Sequence, residues 1–292
     1  MKEGRIIKGI GGFYYVDDSI NIYECKARGI LRKNNETPMV GDKVHFSILN
    51  QEEKLGMVEE ILQRKNELIR PPVVNVDQAV VVFAITQPEP NLSLLNRFLV
   101  LAEGQMLDII ICFNKIDLQQ QKDYMWMVDI YEKAGYKVLL ATKENSDGIE
   151  KLKRALCGKV SVFAGPSGVG KSTLLNQVQS NIHLQTGGLS TKNERGKHTT
   201  RHVELIPLNQ RGWVVDTPGF SSLKIDFTEE AELQYCFPEL RSLAGNCRFS
   251  SCLHENEPSC SVKKAVEDNL IAKERYESYL QLLEEIRSNR RY

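Results

Sequence analysis

The stretch that decides the fold is Gly165-Pro166-Ser167-Gly168-Val169-Gly170-Lys171-Ser172. It matches GxxxxGK[ST], the phosphate-binding loop of P-loop nucleotide-binding proteins. An apolar segment at 159–164 comes before it, and a helical pattern starts near Thr173. The glycines let backbone N–H groups surround phosphate oxygens, and the N-terminus of the helix favours an anion. Lys171 is therefore expected to contact the β- and γ-phosphates, and the Ser172 hydroxyl to bind Mg²⁺.

Upstream of this loop, Asn114-Lys115-Ile116-Asp117 follows an apolar strand pattern that ends at Phe113. These residues match NKxD, an element that distinguishes guanine from adenine. Asp117 can accept hydrogen bonds from N1–H and the exocyclic amine of guanine, and adenine offers no such pair of donors. Asn114 is expected to brace the base edge, and the aliphatic stem of Lys115 to cover the ring. The tetrapeptide alone is a weak signal, and the strand before it strengthens the prediction.

Downstream, Asp216-Thr217-Pro218-Gly219 follows a strand pattern at 212–215 and matches DxxG. Asp216 is expected to hold Mg²⁺ through water, and the Gly219 N–H to sense the γ-phosphate. A polar loop between the two phosphate motifs contains Thr199 and Thr200. Either threonine could complete the Mg²⁺ shell, and the sequence does not choose between them.

The order of these motifs differs from that of ordinary small GTPases, in which the phosphate loop comes first and NKxD nearly last. Here NKxD precedes the phosphate loop and DxxG comes last, so the motifs are circularly permuted. A site built from loops at one edge of a sheet does not depend on their order in the chain. A final guanine element is expected after Leu140, where Ala141-Thr142-Lys143 is a degenerate version and Thr142 a candidate nucleotide contact.

The position after DxxG, where many GTPases have a water-orienting Gln, is Phe220. Because a phenyl ring cannot hydrogen-bond to water, slow intrinsic turnover is expected. We hypothesise that His198 positions the attacking water once a partner orders its loop, since imidazole can accept a proton near neutral pH. The alternative is that His198 only packs or solvates the loop. The predicted catalytic set is His198, Lys171 and Gly219.

The remaining patterns predict a multidomain α/β protein. Short alternating segments over residues 1–68 suggest an OB-type β-barrel. Residues 69–224 alternate between strand and helix patterns, as expected for a parallel sheet in a permuted GTPase domain. Residues 225–292 read as a helical domain that contains a Cys/His cluster.

That cluster, Cys247-x₄-Cys252-x-His254-x₅-Cys260, supplies three thiols and an imidazole. Cys₃His is an accepted set for one structural Zn²⁺ with all four positions filled. A disulfide framework is the alternative, which the histidine and a reducing compartment disfavour. Of the other cysteines, Cys112 and Cys157 are expected to be buried free thiols.

Composition sets wider bounds. The 292 residues include 38 Lys and Arg against 38 Asp and Glu, so any nucleic-acid surface must be a local patch. Neither a signal peptide nor an apolar run long enough for a membrane span is visible. A cytoplasmic protein with no membrane partner is therefore expected, and nothing in the sequence demands more than a monomer.

Taken together, the barrel, the permuted motifs, Gly196-Lys197-His198-Thr199-Thr200, the Arg70-Pro71 linker and the Cys/His cluster resemble the circularly permuted GTPases of the RsgA (YjeQ/YloQ) family. The resemblance covers nearly the whole chain. It implies an N-terminal OB domain, a C-terminal zinc domain, and GTP and GDP as ligands. It also implies action on the small ribosomal subunit and its rRNA as a maturation factor, with hydrolysis stimulated by that subunit.

Two alternatives remain at this stage. One is an ATPase or a GTPase of metabolism, and NKxD argues against ATP. The other is a GTP-switched RNA-binding module that barely hydrolyses, for which Phe220 leaves room. RNA-facing patches are suggested at two basic stretches, one in the barrel near Tyr14, Tyr15 and Tyr23, and one near the C-terminus. The basic residues concerned are Lys26, Arg28, Arg32, Lys33, Lys263, Lys264, Arg287, Arg290 and Arg291.

Overall fold

The computed structural model describes residues 1–33, 36–69, 71–144, 146–179, 203–208, 212–216, 223–225 and 229–290. Its N-terminal strands form a closed barrel in the order β1-β2-β3-β5-β4. β3 pairs with β5 in parallel, whereas the other pairs, including the β1–β4 pair that closes the barrel, are antiparallel. The barrel strands are β1 (Lys2–Ile10), β2 (Phe13–Asp17), β3 (Ile22–Ala27), β4 (Lys43–Asn50) and β5 (Leu55–Ile61).

The barrel closes because its strands alternate between buried and exposed side chains, as β3 does with Tyr23 and Cys25 pointing inward. Tyr23 and Phe46 meet at the centre with ring centroids 5.2 Å apart. A short helix, α1 (Gly29–Lys33), follows β3. A two-stranded hairpin, β6 (Glu67–Ile69) and β7 (Pro72–Val74), leads out of the barrel. The OB-type prediction is confirmed.

A second sheet has six strands in the order β10-β9-β8-β11-β13-β12. β9 and β10 are parallel, as are β11 and β13, and β12 runs antiparallel to β13. Every residue of β8 and β11 is buried, which explains why their sequences are almost entirely apolar. The two polar exceptions, Gln78 and Ser161, hydrogen-bond to each other at 2.9 Å. The strands are β8 (Gln78–Ala84), β9 (Asp108–Asn114), β10 (Lys137–Leu140), β11 (Val160–Ala164), β12 (Leu205–Leu208) and β13 (Gly212–Val215).

The phosphate-loop helix begins at Lys171, two residues before the predicted start near Thr173. The predicted helical domain ends in two helices, with a break after Glu267. The helices beyond α1 are α2 (Leu92–Gly104), α3 (Gln121–Lys133), α4 (Ser146–Leu156), α5 (Lys171–Val178), α6 (Pro238–Arg241), α7 (Ser261–Glu267) and α8 (Lys273–Arg290). None of the described helices is both long and apolar enough to span a bilayer.

The chain divides into two compact units. The first comprises Met1–Gln78, Leu152–Phe163 and Leu175–Ser221, and the second comprises Ala79–Lys151, Ala164–Leu174 and Ser222–Tyr292. In the second unit, Val100 of α2 joins a helical core with Leu233, Phe237, Tyr279 and Leu283. The phosphate loop, the NKxD segment and the Cys/His cluster all belong to this second unit.

Of the two cysteines predicted to be buried free thiols, Cys112 is buried, but Cys157 is exposed, so that half of the prediction was wrong. The reason is local: Cys157 follows the last residue of α4, in the turn that leads to β11. Loop positions of this kind face solvent even where the adjoining sequence is apolar.

Candidate nucleotide site and metal centre

The phosphate-binding loop runs from the end of β11 to the start of α5, as its sequence predicts. Gly165, Gly168 and Gly170 have φ values of 136°, 80° and 95°, a region that L side chains rarely adopt. A Cβ at Gly165 would lie 2.1 Å from the carbonyl oxygen of Val82 in β8. The loop therefore lies against the strand beside it, which requires glycine at this position.

Lys171, the first residue of α5, turns its side chain back across the loop. Its ammonium donates to the carbonyl oxygens of Gly165 at 2.7 Å and Pro166 at 2.6 Å. Burial lowers the pKa of Lys171. Ser172 and Thr173 follow in the first turn of α5, where the N-terminus of the helix favours an anion.

The NKxD segment lies directly against this loop. The Asn114 side-chain amide donates to the carbonyl oxygen of Val169 at 2.9 Å. The Lys115 ammonium donates to the carbonyl oxygen of Gly168 at 2.8 Å and also to that of Gln87. The two motifs, roughly fifty residues apart in sequence, thus form one site at the ends of β9 and β11.

Thr142 joins the same site. Its hydroxyl donates to the Asp117 carboxylate through Oδ1, and the Glu144 N–H donates to the Thr142 hydroxyl at 3.2 Å. The backbone of the segment is tied in as well, since the Ile116 N–H donates to the Ala141 carbonyl at 3.4 Å. Thr142 therefore orients the carboxylate of Asp117.

Asp216 belongs to the first unit and directly follows β13. Its N–H donates to the Glu204 carbonyl at 2.9 Å. Burial raises the pKa of Asp216, and the nearby Glu204 carboxylate raises it further, while Lys8 opposes the shift. Lys8 and Glu204 are themselves an ion pair at 2.9 Å. A carboxyl whose pKa is raised in this way would gain from a cation beside it.

Four predicted site residues lie outside the described part of the chain: His198, Thr199, Thr200 and Gly219. The same holds for Phe220 and for Arg70 of the linker. Their assigned roles stay predictions.

The three cysteines and the histidine of the C-terminal cluster converge on one point. The Nδ1 atom of His254 lies 3.5 Å from the Sγ of Cys247, 3.4 Å from that of Cys252 and 3.4 Å from that of Cys260. All four ligand atoms lie within 4.8 Å of one another. Burial lowers the pKa of His254, which favours the neutral imidazole that binds metals.

These distances fit a tetrahedral metal site. Zn–S bonds of about 2.3 Å and Zn–N bonds of about 2.0 Å give tetrahedron edges of roughly 3.5–3.8 Å. The observed S···N separations and the 3.9 Å between the Sγ atoms of Cys247 and Cys260 agree with those edges. The cluster could therefore hold a metal ion.

Comparison with known proteins identifies the family of the chain. Residues 61–226 match the family model described as RsgA GTPase, and residues 3–58 match the RsgA N-terminal domain. The chain belongs to the RsgA GTPase family. It is 56% identical over 292 residues to a protein of Alkaliphilus metalliredigens (strain QYMF) called small ribosomal subunit biogenesis GTPase RsgA, with 100% of both chains covered.

Other RsgA relatives are similar to this chain over nearly their whole length. A protein of the same name from Caldanaerobacter subterraneus subsp. tengcongensis is 49% identical, with 99% of this chain and 98% of the relative covered. A crystal structure of YloQ, described as a circularly permuted GTPase, superimposes with a TM-score of 0.84 at 42% identity, covering 99% of this chain and 96% of that one. YjeQ from Thermotoga maritima gives 0.84 at 36% identity, with 98% of each chain covered. The permuted GTPase fold is thus confirmed for this RsgA-family chain.

Sequence analysis missed one part of this RsgA-family site, the segment after β8. The Gln87 carbonyl accepts from Lys115, and a Cβ at Gly168 would come within 3.9 Å of Pro88. The available signal was its place after a fully buried strand, because loops at the carboxyl ends of parallel strands form ligand sites. No motif marks it, since the contact is made through the backbone.

Several basic side chains of the two predicted RNA-facing patches contact other residues of the protein. In the barrel, the Lys26 ammonium lies 5.2 Å from the Phe13 ring centroid, and Arg28 pairs with Glu59 at 2.8 Å. Near the C-terminus, Arg287 pairs at 2.9 Å with both Glu230 and Glu255. The side chains of Arg32, Lys33 and Arg290, and all of Arg291, lie outside the described part. Arg287 is thus a structural cation rather than an open contact.

Proposed function

We propose that this chain is a GTP hydrolase that binds the small ribosomal subunit and couples hydrolysis to late-stage maturation of that subunit. The observation that carries the proposal is the meeting of Asn114, Lys115 and the phosphate loop at one site. Membership in the RsgA GTPase family supports the hydrolysis. The names of its full-length relatives supply the ribosomal partner.

The nucleotide contacts follow from the geometry of the second unit. Gly165–Thr173 would cradle the phosphates, with the Lys171 ammonium moving from its loop carbonyls to phosphate oxygens. Asp117, oriented by Thr142, would accept from the guanine edge, while Asn114 and Lys115 fix the base loop to the phosphate loop. With these contacts the site would select guanine over adenine, so that GTP is the substrate and GDP the product.

For hydrolysis, we assign Lys171 to charge on the transferred phosphoryl group, the Gly219 N–H to the γ-phosphate and His198 to the attacking water. Because Phe220 takes the place of the usual glutamine, His198 would position the water once the partner is bound. Ser172, one of Thr199 or Thr200, and Asp216 would hold Mg²⁺ directly or through water. Their hydroxyl and carboxylate oxygens are the donors that Mg²⁺ prefers, and the ion would neutralise phosphate charge.

Zn²⁺ is the metal we propose for Cys247, Cys252, His254 and Cys260. Four protein ligands leave no open position, so the role is structural: the ion would fix the fold of the segment between α6 and α7. A metal in this position would contribute its binding free energy to folding.

We further propose three domains, an OB barrel over 1–68, the permuted GTPase over 69–224 and a zinc-binding helical domain over 225–292. The barrel and the zinc domain would contact rRNA. A cytoplasmic monomer without a membrane partner fits this role.

Binding to purified subunits tests the partner assignment. The protein is mixed with small subunits in the presence of a non-hydrolysable GTP analogue or of GDP, and the complexes are separated by sedimentation. We expect co-sedimentation with the small subunit, stronger with the analogue, and none with the large subunit. Equal binding to both subunits, or to neither, would contradict the assignment.

A further inference from the structure

The imidazole of His254 is engaged at both nitrogens. Nδ1 faces the three Sγ atoms of the cluster, and Nε2 lies 3.0 Å from the Oε1 atom of Gln234. His254 is fully buried, and Gln234 is 6% exposed. Gln234 lies outside the Cys247–Cys260 segment, in the 3-10 helix Glu230–Cys236.

The orientation of the Gln234 amide is fixed by its other contact. Its Nε2 donates to the carbonyl oxygen of Ala231 at 3.0 Å. A flipped amide would point an oxygen at that carbonyl, which offers no donor. Oε1 must therefore face the histidine as an acceptor, and the Nε2 atom of His254 must carry the proton. That tautomer leaves the Nδ1 lone pair directed at the centre of the cluster.

We propose that Gln234 is a positioning residue of the metal site. It selects the tautomer and fixes the ring plane of His254, so that Nδ1 is presented to the ion before the ion arrives. Outer hydrogen-bond partners of this kind orient metal-binding histidines and raise their basicity. The proposal rests on the metal site proposed above and is independent of the GTPase chemistry.

The surroundings of both residues are rigid enough for this role. The 3-10 helix is capped at its start by a reciprocal capping box of Glu229 and Glu232. Its Leu233 is fully buried in the helical core. Because the Gln234 side chain is already held in place, it loses little conformational freedom when the metal binds.

The backbone of the histidine is held as well. His254 has a φ of 61°, a strained conformation for a residue with a side chain. The Tyr276 hydroxyl donates to the His254 carbonyl at 2.7 Å, and the Tyr279 hydroxyl donates to the Leu253 carbonyl at 2.8 Å. Two tyrosines of α8 and one glutamine of the 3-10 helix therefore fix the histidine from opposite ends.

The test measures metal affinity in the full chain, by competing Zn²⁺ and Co²⁺ between the protein and a chromophoric chelator. Gln234→Leu removes the acceptor and should weaken the affinity about 10- to 100-fold. Gln234→Glu keeps an acceptor and should hold the metal at least as tightly as wild type. Tyr235→Ala is the control, because it changes a side chain on the same 3-10 helix that is 55% exposed, and it should leave the affinity unchanged.

A second readout reports the hydrogen bond between His254 and Gln234. In ¹⁵N NMR spectra of the Zn²⁺-loaded protein, the His254 Nε2 proton should exchange slowly in wild type and Gln234→Glu, and faster in Gln234→Leu. Equal affinities for wild type and Gln234→Leu, or equal losses for Gln234→Leu and Tyr235→Ala, would overturn the positioning role. Failure of the wild type itself to bind either metal would instead overturn the metal site.

Discussion

Two glycines of the phosphate loop have similar backbones but different surroundings. Gly168 and Gly170 have φ values of 80° and 95°. A Cβ on Gly170 would lie 2.4 Å from the Asn114 amide nitrogen, whereas the nearest atom to one on Gly168 is Pro88 Cδ at 3.9 Å. The two positions therefore separate the effect of backbone strain from that of a clash.

Gly170→Ala should weaken GTP binding much more than Gly168→Ala. The added methyl group displaces Asn114 and breaks its hydrogen bond to the Val169 carbonyl. A lost hydrogen bond of this type costs about 1–2 kcal/mol, or about a tenfold change in Kd. Fluorescent-nucleotide titration of both variants measures the difference. Equal losses would mean that strain alone accounts for both.

Base selectivity is expected to reside in Asp117. Asn at this position offers an amide donor where the carboxylate accepted, which suits xanthine, because xanthine has a carbonyl in place of the guanine amine. Asp117→Asn should weaken GTP binding about 10- to 100-fold, given charge-assisted bonds worth about 1.5–3 kcal/mol, and should improve binding of xanthosine triphosphate.

The matched control is Asp129→Asn, an exposed position on α3. Competition titrations with GTP, ATP and xanthosine triphosphate measure the preference. Asp117 would not be the base-reading residue if its variant kept the GTP preference of wild type.

Individual site residues could be predicted from the sequence wherever a motif depends on side-chain chemistry. Asn114, Lys115, Thr142 and the phosphate loop lie together as the pattern required. Gln87 could not be predicted, because its contribution is a carbonyl oxygen whose place depends on how its loop packs. Any residue type could supply that atom.

Among the elements, α8 is fastened to the rest of the second unit through a buried charge. Arg275 is fully buried and pairs with Glu239 at 2.6 Å, while its NH1 donates to Asn96 Oδ1 at 2.7 Å. Its guanidinium lies over three aromatic rings, with 4.5 Å to the Phe237 centroid. Tyr131 of α3 donates to the same Asn96 oxygen at 3.0 Å. This network joins α2, α3, α6 and α8.

Arg275→Met should destabilise the protein strongly, because it leaves Glu239 as a buried, unpaired carboxylate. Removing one partner of a buried pair costs about 3–5 kcal/mol. Lys273→Met, at an exposed i,i+4 pair with Glu277, should cost no more than about 0.5 kcal/mol. Urea denaturation followed by near-UV circular dichroism compares the two. Similar midpoints for both variants would contradict a structural role for the network.

A second link to α8 should depend on pH. Arg97 of α2 donates to Glu285 at 2.8 Å, and this hydrogen bond, together with the charge of Arg97, lowers the pKa of Glu285. A carboxyl with a lowered folded pKa stabilises the protein above its unfolded pKa, about 4.3, and loses that contribution as pH falls through the folded value.

Glu285→Gln should therefore cost stability at pH 7 and progressively less as pH falls through the folded pKa, so that the stability curves of wild type and variant converge in acid. The side chain is about one-third exposed, so solvent limits the difference to roughly 1 kcal/mol or less. Glu277→Gln controls for loss of a surface charge on the same helix. Denaturation midpoints between pH 3 and 7 give the curves, and parallel curves would contradict the ion-pair account.

The break between α7 and α8 shows where periodicity misleads. Apolar spacing continues from Val266 through Leu270, yet Asn269 has a φ of 56° and ends the first helix. The Leu270 N–H donates to the Ala265 carbonyl at 2.8 Å, a capping bond typical of a left-handed stop. Leu270 itself is 69% exposed, so the spacing continues through a residue that does not pack in the core, and the pattern alone could not reveal the break.

For the molecule as a whole, the order of the motifs along the chain says less about the site than the place of each motif after a strand. NKxD and the phosphate loop are far apart in sequence, but they are in contact because they follow the carboxyl ends of β9 and β11, which lie at the same edge of the sheet. The closed barrel was predictable from alternating short strands. The division of the chain into two compact units was not, since it depends on long-range contacts that no local pattern encodes.

The central claim is that a site built for guanine nucleotides hydrolyses GTP under control of the small ribosomal subunit. The most direct test is steady-state GTP turnover by the purified protein, alone and with saturating small subunits, with large subunits and ATP as controls. We predict slow intrinsic turnover, stimulated at least about tenfold by small subunits only, with ATP neither hydrolysed nor competing. His198→Ala should bind GTP normally and lose the stimulation. Equal turnover with and without small subunits would contradict the claim.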